Sequence, residues 1–229
     1  MSDPARFFDA ERAAVYDAQA DRMAPFRDAL HLGLRAVLAS LPARARILCV
    51  GAGTGSELLA LAATYPDWHF TAVDPAPAML ARCQERVAAA GLLDRCSFHQ
   101  GVLGTLPTTD PFHAATVILV SQFLVETAAR RQLFVDVASR LRPGGLLASC
   151  DLATEPGTPT FESLYDVWAA TFKHVGLPAP AREIFGTAVG MLSPQALERL
   201  IASSGFEAPV PFFQAVLMHG WFARRFVDR

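Results

Sequence analysis

The chain has 229 residues, enough for one good apolar core and short for two full domains. At 52% apolar and 18% charged, with a formal net charge of −2, it is not a disordered chain, and it has no overall attraction to a nucleic-acid backbone or an anionic membrane. The start Met1-Ser2-Asp3-Pro4-Ala5-Arg6 lacks an export signal, and the longest apolar run, residues 114–120, is far below the roughly 20 residues that span a bilayer, so a cytoplasmic protein is expected.

Two helical patterns come first, and residues 1–42 are read as a helical cap. Residues 9–22 place Ala13, Tyr16 and Ala20 on one face; the next pattern places Phe26, Leu30, Leu34, Val37, Leu38 and Leu41 at helical spacing, with Pro25 near its start. An apolar strand at 47–50 then runs into Gly51-Ala52-Gly53-Thr54-Gly55 and straight into the amphipathic Ser56-Glu57-Leu58-Leu59. Such a strand, glycine turn and helix start bring backbone N–H groups and the positive end of a helix close to a nucleotide-like ligand. A dinucleotide fingerprint fits poorly, because it would put Ser56 where a close-packing Gly or Ala is wanted. The second strand, at 68–73, ends in Asp74-Pro75, and Asp74 lies 19 residues past Gly55. A carboxylate there can accept from both ribose hydroxyls and would repel a 2′-phosphate, which disfavours NADP.

Pro77 opens a helix with Leu80, Cys83 and Val87 inward and Gly91 as its left-handed end. Strands are expected at 96–100, 116–120 and 146–150, with a helix carrying Leu133, Phe134, Val137 and Leu141 before Pro143-Gly144-Gly145. The pairs Arg130-Arg131 and Arg224-Arg225 are read as solvated charges. Residues 153–192 break the alternation and are read as an insertion over the substrate site, with a helix at 161–175 whose Tyr165, Trp168, Ala169 and Phe172 share a face. Ser193 and Pro194 start a last helix that Gly205 stops, and 206–213 and 215–222 are two strands too close for a crossover, hence antiparallel. The four cysteines have no metal-ligand spacing and read as small core residues, and no metal site is expected.

The G-x-G-x-G turn, Asp74 at this distance and the closing hairpin resemble the class I S-adenosylmethionine-dependent methyltransferases, over about residues 46–225. The resemblance implies a single α/β domain over 1–229 with a Rossmann-like seven-stranded sheet. Its strand order would be 3-2-1-4-5-7-6, the last strand antiparallel and helices on both faces. It implies S-adenosyl-L-methionine as cofactor, held by Gly51, Ala52, Gly53, Thr54, Gly55, Asp74, Pro75, Met79, Gly101, Val102, Leu103 and Ser121. Two family acids are not matched: Cys49 stands two before the first glycine, and Val102 stands beside the adenine position.

Methyl transfer asks mainly for alignment of acceptor and methyl group, so no covalent residue is needed. His174, on the insertion helix, is the candidate general base. Tyr16 and Phe26 are candidates for a lid or for core, and with Phe123, Tyr165, Trp168 and Arg182 they form the candidate substrate set. The aromatic stripe favours a small apolar or aromatic acceptor, with no nucleic-acid or membrane partner and a homodimer left open. Gln122-Phe123-Leu124, Thr171-Phe172-Lys173 and Phe212-Phe213-Gln214 are similar to segments of the carboxy-S-adenosylmethionine synthases, in which Arg182 would hold the extra carboxylate. Synthase activity is an alternative reading, as is a non-catalytic cofactor-binding module.

Overall fold

The computed structural model describes residues 10–227, so the reading of residues 1–6 and the first nine residues of the 1–42 cap lie outside the described chain. The sheet consists of β1 (Arg46–Val50), β2 (His69–Asp74), β3 (Cys96–Gln100), β4 (Phe112–Ile118), β5 (Leu141–Leu152), β6 (Val210–Ala215) and β7 (Met218–Arg224). Its order is β3-β2-β1-β4-β5-β7-β6, as the resemblance implied. The first five strands pair in parallel, and β7 runs antiparallel to both β5 and β6.

Side chains alternate along each strand, and both faces are buried, which is why these strands read as nearly continuous apolar runs. Ile47 and Cys49 of β1 join a cluster with Leu30, Leu34 and Leu38 of α2 (Ala24–Leu38), Leu58 and Leu61 of α3 (Ser56–Thr64), and Cys83 and Val87 of α4 (Pro77–Ala89). Leu48 and Val50 face the other way, onto Phe134 and Val137 of α5 (Thr127–Arg140) and Leu200 and Ile201 of α7 (Pro194–Ala202). Leu34 and Leu38 are fully buried, and each such leucine contributes about 1.5–3 kcal/mol.

Several boundaries differ from the sequence reading, each for a tertiary reason. β4 begins at Phe112 and stops at Ile118, because Leu119 takes a left-handed φ of 58° that ends the ladder. β5 starts at Leu141, whose pairing with Phe112 lies outside the apolar run. The final hairpin turns at Val216 and Leu217, two residues later than expected, with Val216 at φ 54°. Arg130 is not solvated: it is 1% exposed, held inside α5.

The N-terminal α1 (Ala10–Arg22) lies against α4, where Ala13 and Tyr16 meet Ala76 and Met79. Helix α6 (Pro159–His174) starts on Thr158, whose hydroxyl accepts from Phe161 N at 3.2 Å, and Pro159 suits its first turn. Phe161 and Trp168 of α6, with Phe185, Val189 and Met191, belong to the cluster that covers β1 and β5. No helix among the described residues is long and apolar enough to cross a membrane.

Candidate functional site

The carboxyl ends of β1 and β2 converge on the glycine turn. Gly51, Gly53 and Gly55 have φ of 64°, 54° and 80°, a region that side-chain-bearing residues adopt only at a cost. A Cβ on Gly51 would stand 2.4 Å from Val120 Cγ2, and one on Gly55 2.6 Å from Cys83 Sγ, whereas one on Gly53 would meet Met79 Cε at 3.5 Å. The outer two glycines are therefore demanded by packing as well as by conformation, and Gly53 by conformation alone. Val73 O fixes the turn from below by accepting from Gly51 N at 2.7 Å and Ala52 N at 3.1 Å.

Asp74 ties this turn to α4. Its Oδ2 accepts from Gly53 N at 2.7 Å and its Oδ1 from Ala76 N at 2.8 Å, while its own carbonyl accepts from Gly101 N at 3.0 Å. The residue is 7% exposed, and burial raises its carboxyl pKa against the opposing pull of those two N–H groups. Each carboxylate oxygen keeps acceptor capacity for a further donor. Met79, Ala52 and Leu103 are buried, and Val102 is 57% exposed. A turn without side chains at Gly51, Gly53 and Gly55, edged by a carboxylate with spare acceptor capacity, fits an adenosyl ribose.

A second acid closes the same place from above. Asp17 of α1 accepts from Thr54 Oγ1 at 2.7 Å, from Arg86 Nη1 at 3.0 Å and from Arg82 Nε at 3.1 Å. Arg86 also donates to Thr54 O and Oγ1 at 3.0 and 2.9 Å, so helix, turn and α4 are joined at one point. Tyr16, read as a lid or core residue and as part of the substrate set, packs on the cluster of Ala13, Ala76 and Met79.

At the ends of β4 and β5 the chain builds a buried polar network that sequence reasoning missed apart from Ser121. Ser121 Oγ donates to Asp151 Oδ2 at 2.7 Å and Gln122 N to Asp151 Oδ1 at 3.0 Å. Gln122 Oε1 accepts from Leu152 N at 2.9 Å. Arg130 donates to Ser121 O at 2.9 Å and to Gly190 O at 2.5 Å, while Gly190 N donates to Gln122 O at 2.7 Å, which clamps the 153–192 segment to the sheet edge. Burial pushes Asp151 up to about 6, with Arg130 and the two donors pulling it back. Ser121 is fully buried with its hydroxyl committed, so it orders the edge through Asp151. Nothing in the local sequence marks this set, because its members are joined only by tertiary folding.

The insertion's aromatics do assemble. Trp168 stands 5.2 Å from Phe172 and 6.3 Å from Phe26 of α2, ring to ring, and Phe123 packs on the same apolar cluster. Tyr165 packs on that cluster too, 6.0 Å from Phe161 and 5.9 Å from Phe185 ring to ring, while its hydroxyl donates to Pro180 O at 2.9 Å and Arg182 lies over its ring at 4.2 Å. Arg182 pairs with Glu162 and, at 3.3 Å, with Asp166, so its charge is already matched by two acids of α6. His174 is exposed in the last turn of α6. No group of three or more His, Cys, Asp or Glu among the described residues could hold a metal ion.

Residues 47–145 match a family model described as a methyltransferase domain. An arsenite methyltransferase of Halobacterium salinarum is 33% identical over 144 residues, 60% of this chain and 35% of that protein, so the chain spans about a third of that relative. A carboxy-S-adenosyl-L-methionine synthase of Dichelobacter nodosus is 26% identical over 222 residues, covering 94% of this chain and 91% of that one. The solved O-methyltransferase family 2 protein of Planctomyces limnophilus, in complex with apigenin, aligns with a TM-score of 0.67 at 18% identity, covering 94% of this chain and 61% of that chain. At that identity the likeness concerns the fold.

Proposed function

We propose that this chain is a class I S-adenosylmethionine-dependent methyltransferase that uses S-adenosyl-L-methionine to methylate a small apolar or aromatic acceptor, a reading supported by the methyltransferase-domain match over residues 47–145 and by the strand order of the sheet. The observation that carries the cofactor half is the Asp74 carboxylate, fixed by Gly53 N and Ala76 N at the lip of the glycine cradle. In this reading Asp74 receives the ribose hydroxyls, the turn at Gly51, Gly53 and Gly55 admits the cofactor's backbone-hugging portion, and Met79 and Leu103 flank adenine. The bound cofactor supplies an already activated methyl group. The chain's task is to orient the acceptor and exclude water, because alignment lowers the barrier to in-line displacement.

The acceptor half rests on the wall made by Phe26, Trp168 and Phe172, whose apolar rings suit an aromatic or aliphatic molecule better than a polyanion. The synthase alternative is not favoured, since Arg182 is paired with Glu162 and Asp166 and needs no carboxylate ligand. His174 keeps its place as a base only for a protonated acceptor brought to the end of α6. Homocysteine-product release from S-adenosylmethionine, assayed across phenols, carboxylates, amines and thiols, tests the proposal. Turnover with an apolar or aromatic member supports it. A panel that stays blank while the cofactor binds would favour the non-catalytic module instead.

A further inference from the structure

Glu57 is the buried acid that neither the fold nor the reading above uses. It is the second residue of α3, directly after Gly55, and is 7% exposed. Among the described residues no cation lies within ion-pair distance of it, and its carboxyl is served only by its own backbone N–H. The groups facing it are Cys49 at the end of β1, Asp74 at the end of β2, and Cys83 and Arg86 of α4. Cys49 is a neutral thiol, raised well above its ordinary range by burial and then by Glu57 itself. Arg86 is spent on Asp17 and Thr54. Asp74 has both oxygens held by backbone N–H groups. A carboxyl with no counter-ion at the foot of a ligand cradle is costly in its charged form, and burial with the Asp74 charge pushes it up to about 7.

We propose that Glu57 is the counter-ion for the α-ammonium of the cofactor's amino-acid arm, and that the arm enters the cradle toward the start of α3. The proposal rests on the methyltransferase reading. An ammonium brought beside Glu57 makes a buried pair where the free protein has a lone carboxyl. Glu57 then ionises on binding and releases its proton to solvent. Affinity for a ligand that carries the ammonium should therefore rise from pH 5.5 to pH 8, and the ligand without the arm should show no such rise.

The test is calorimetric titration of the full chain with S-adenosylhomocysteine, which has the ammonium, and with 5′-methylthioadenosine, which lacks the arm. Each is run at pH 7 in two buffers of different ionisation heat. The expected result for the unmodified protein is net proton release with S-adenosylhomocysteine and none with methylthioadenosine. Glu57→Gln should lose that release and bind S-adenosylhomocysteine at least about tenfold more weakly, while its methylthioadenosine affinity stays the same. The unmodified protein alone suffices if the variant fails to fold. Binding of S-adenosylhomocysteine without proton release overturns the role of Glu57 and leaves the methyltransferase reading standing. Failure of the unmodified protein to bind either ligand overturns both.

Discussion

Gly51 and Gly53 separate two demands that a glycine turn can make. Both have left-handed φ, which costs about 1–3 kcal/mol for a residue with a side chain, but only at Gly51 would a Cβ also strike Val120 at 2.4 Å. Gly51→Ala should therefore lower the melting temperature distinctly more than Gly53→Ala, whose new methyl meets Met79 at an ordinary 3.5 Å. Differential scanning calorimetry of both variants checks this, and equal losses would contradict the packing argument. Glu57 gives a second prediction, about stability in the absence of ligand. Its folded pKa of about 7 lies above the unfolded value of 4.5, so the native state keeps a proton that the unfolded chain gives up. Stability from this group is full below pH 4.5 and is lost as pH rises through about 7. Urea unfolding at pH 5 and pH 8 should show a smaller difference between the two pH values in Glu57→Gln than in the unmodified protein. An unchanged difference would mean that Glu57 is not the group responsible.

Helix α1 and the 153–192 segment are both tied down by charged side chains, in different dielectric settings. The Asp17 links to Arg82 and Arg86 are partly exposed, so Asp17→Asn should change global stability by less than about 1 kcal/mol. Amide exchange in α1 should nevertheless quicken while the sheet stays protected; unchanged exchange there would show that the apolar contacts of Ala13 and Tyr16 hold α1 unaided. Arg130 is buried and donates to Ser121 O and Gly190 O, so Arg130→Ala should cost about 1–3 kcal/mol for each buried acceptor it leaves unsatisfied. It should also open the 153–192 segment to limited proteolysis, and a protease-resistant, fully stable variant would refute the clamp. The contrast marks what a sequence can reveal. The strand, glycine turn and Asp74 are legible because their geometry is local and glycine is diagnostic of it. The closing hairpin is legible because two strands so close in sequence cannot cross over. Arg130, Gln122 and Asp151 are not legible, since an arginine in an amphipathic helix looks solvated until a distant glycine carbonyl comes to meet it. Arg182 shows the converse: the similarity to the synthases implied a carboxylate ligand for it, and two acids one and two turns along α6 take its charge instead.

Across the whole molecule, the sheet reverses between β1 and β4 to make the crevice in which open α/β sheets bind ligands. The glycine turn lies at the β1 edge of that crevice and the Ser121–Asp151 network at the β4–β5 edge. Helix α1 packs on α4 beside the turn, and Phe26 of α2 meets Trp168 of α6. In the proposed reading the β1–β2 side takes the cofactor and the β4–β5 side the acceptor. The central claim is that the first side holds an adenosyl cofactor through Asp74. It is tested most directly by calorimetric titration of S-adenosylhomocysteine, with NAD in parallel, into the unmodified protein and Asp74→Asn. The account predicts saturable binding of S-adenosylhomocysteine that weakens by at least about tenfold in the variant, the loss of one or more hydrogen bonds to a charged group, and no binding of NAD. Tight NAD binding with indifference to S-adenosylhomocysteine would contradict it.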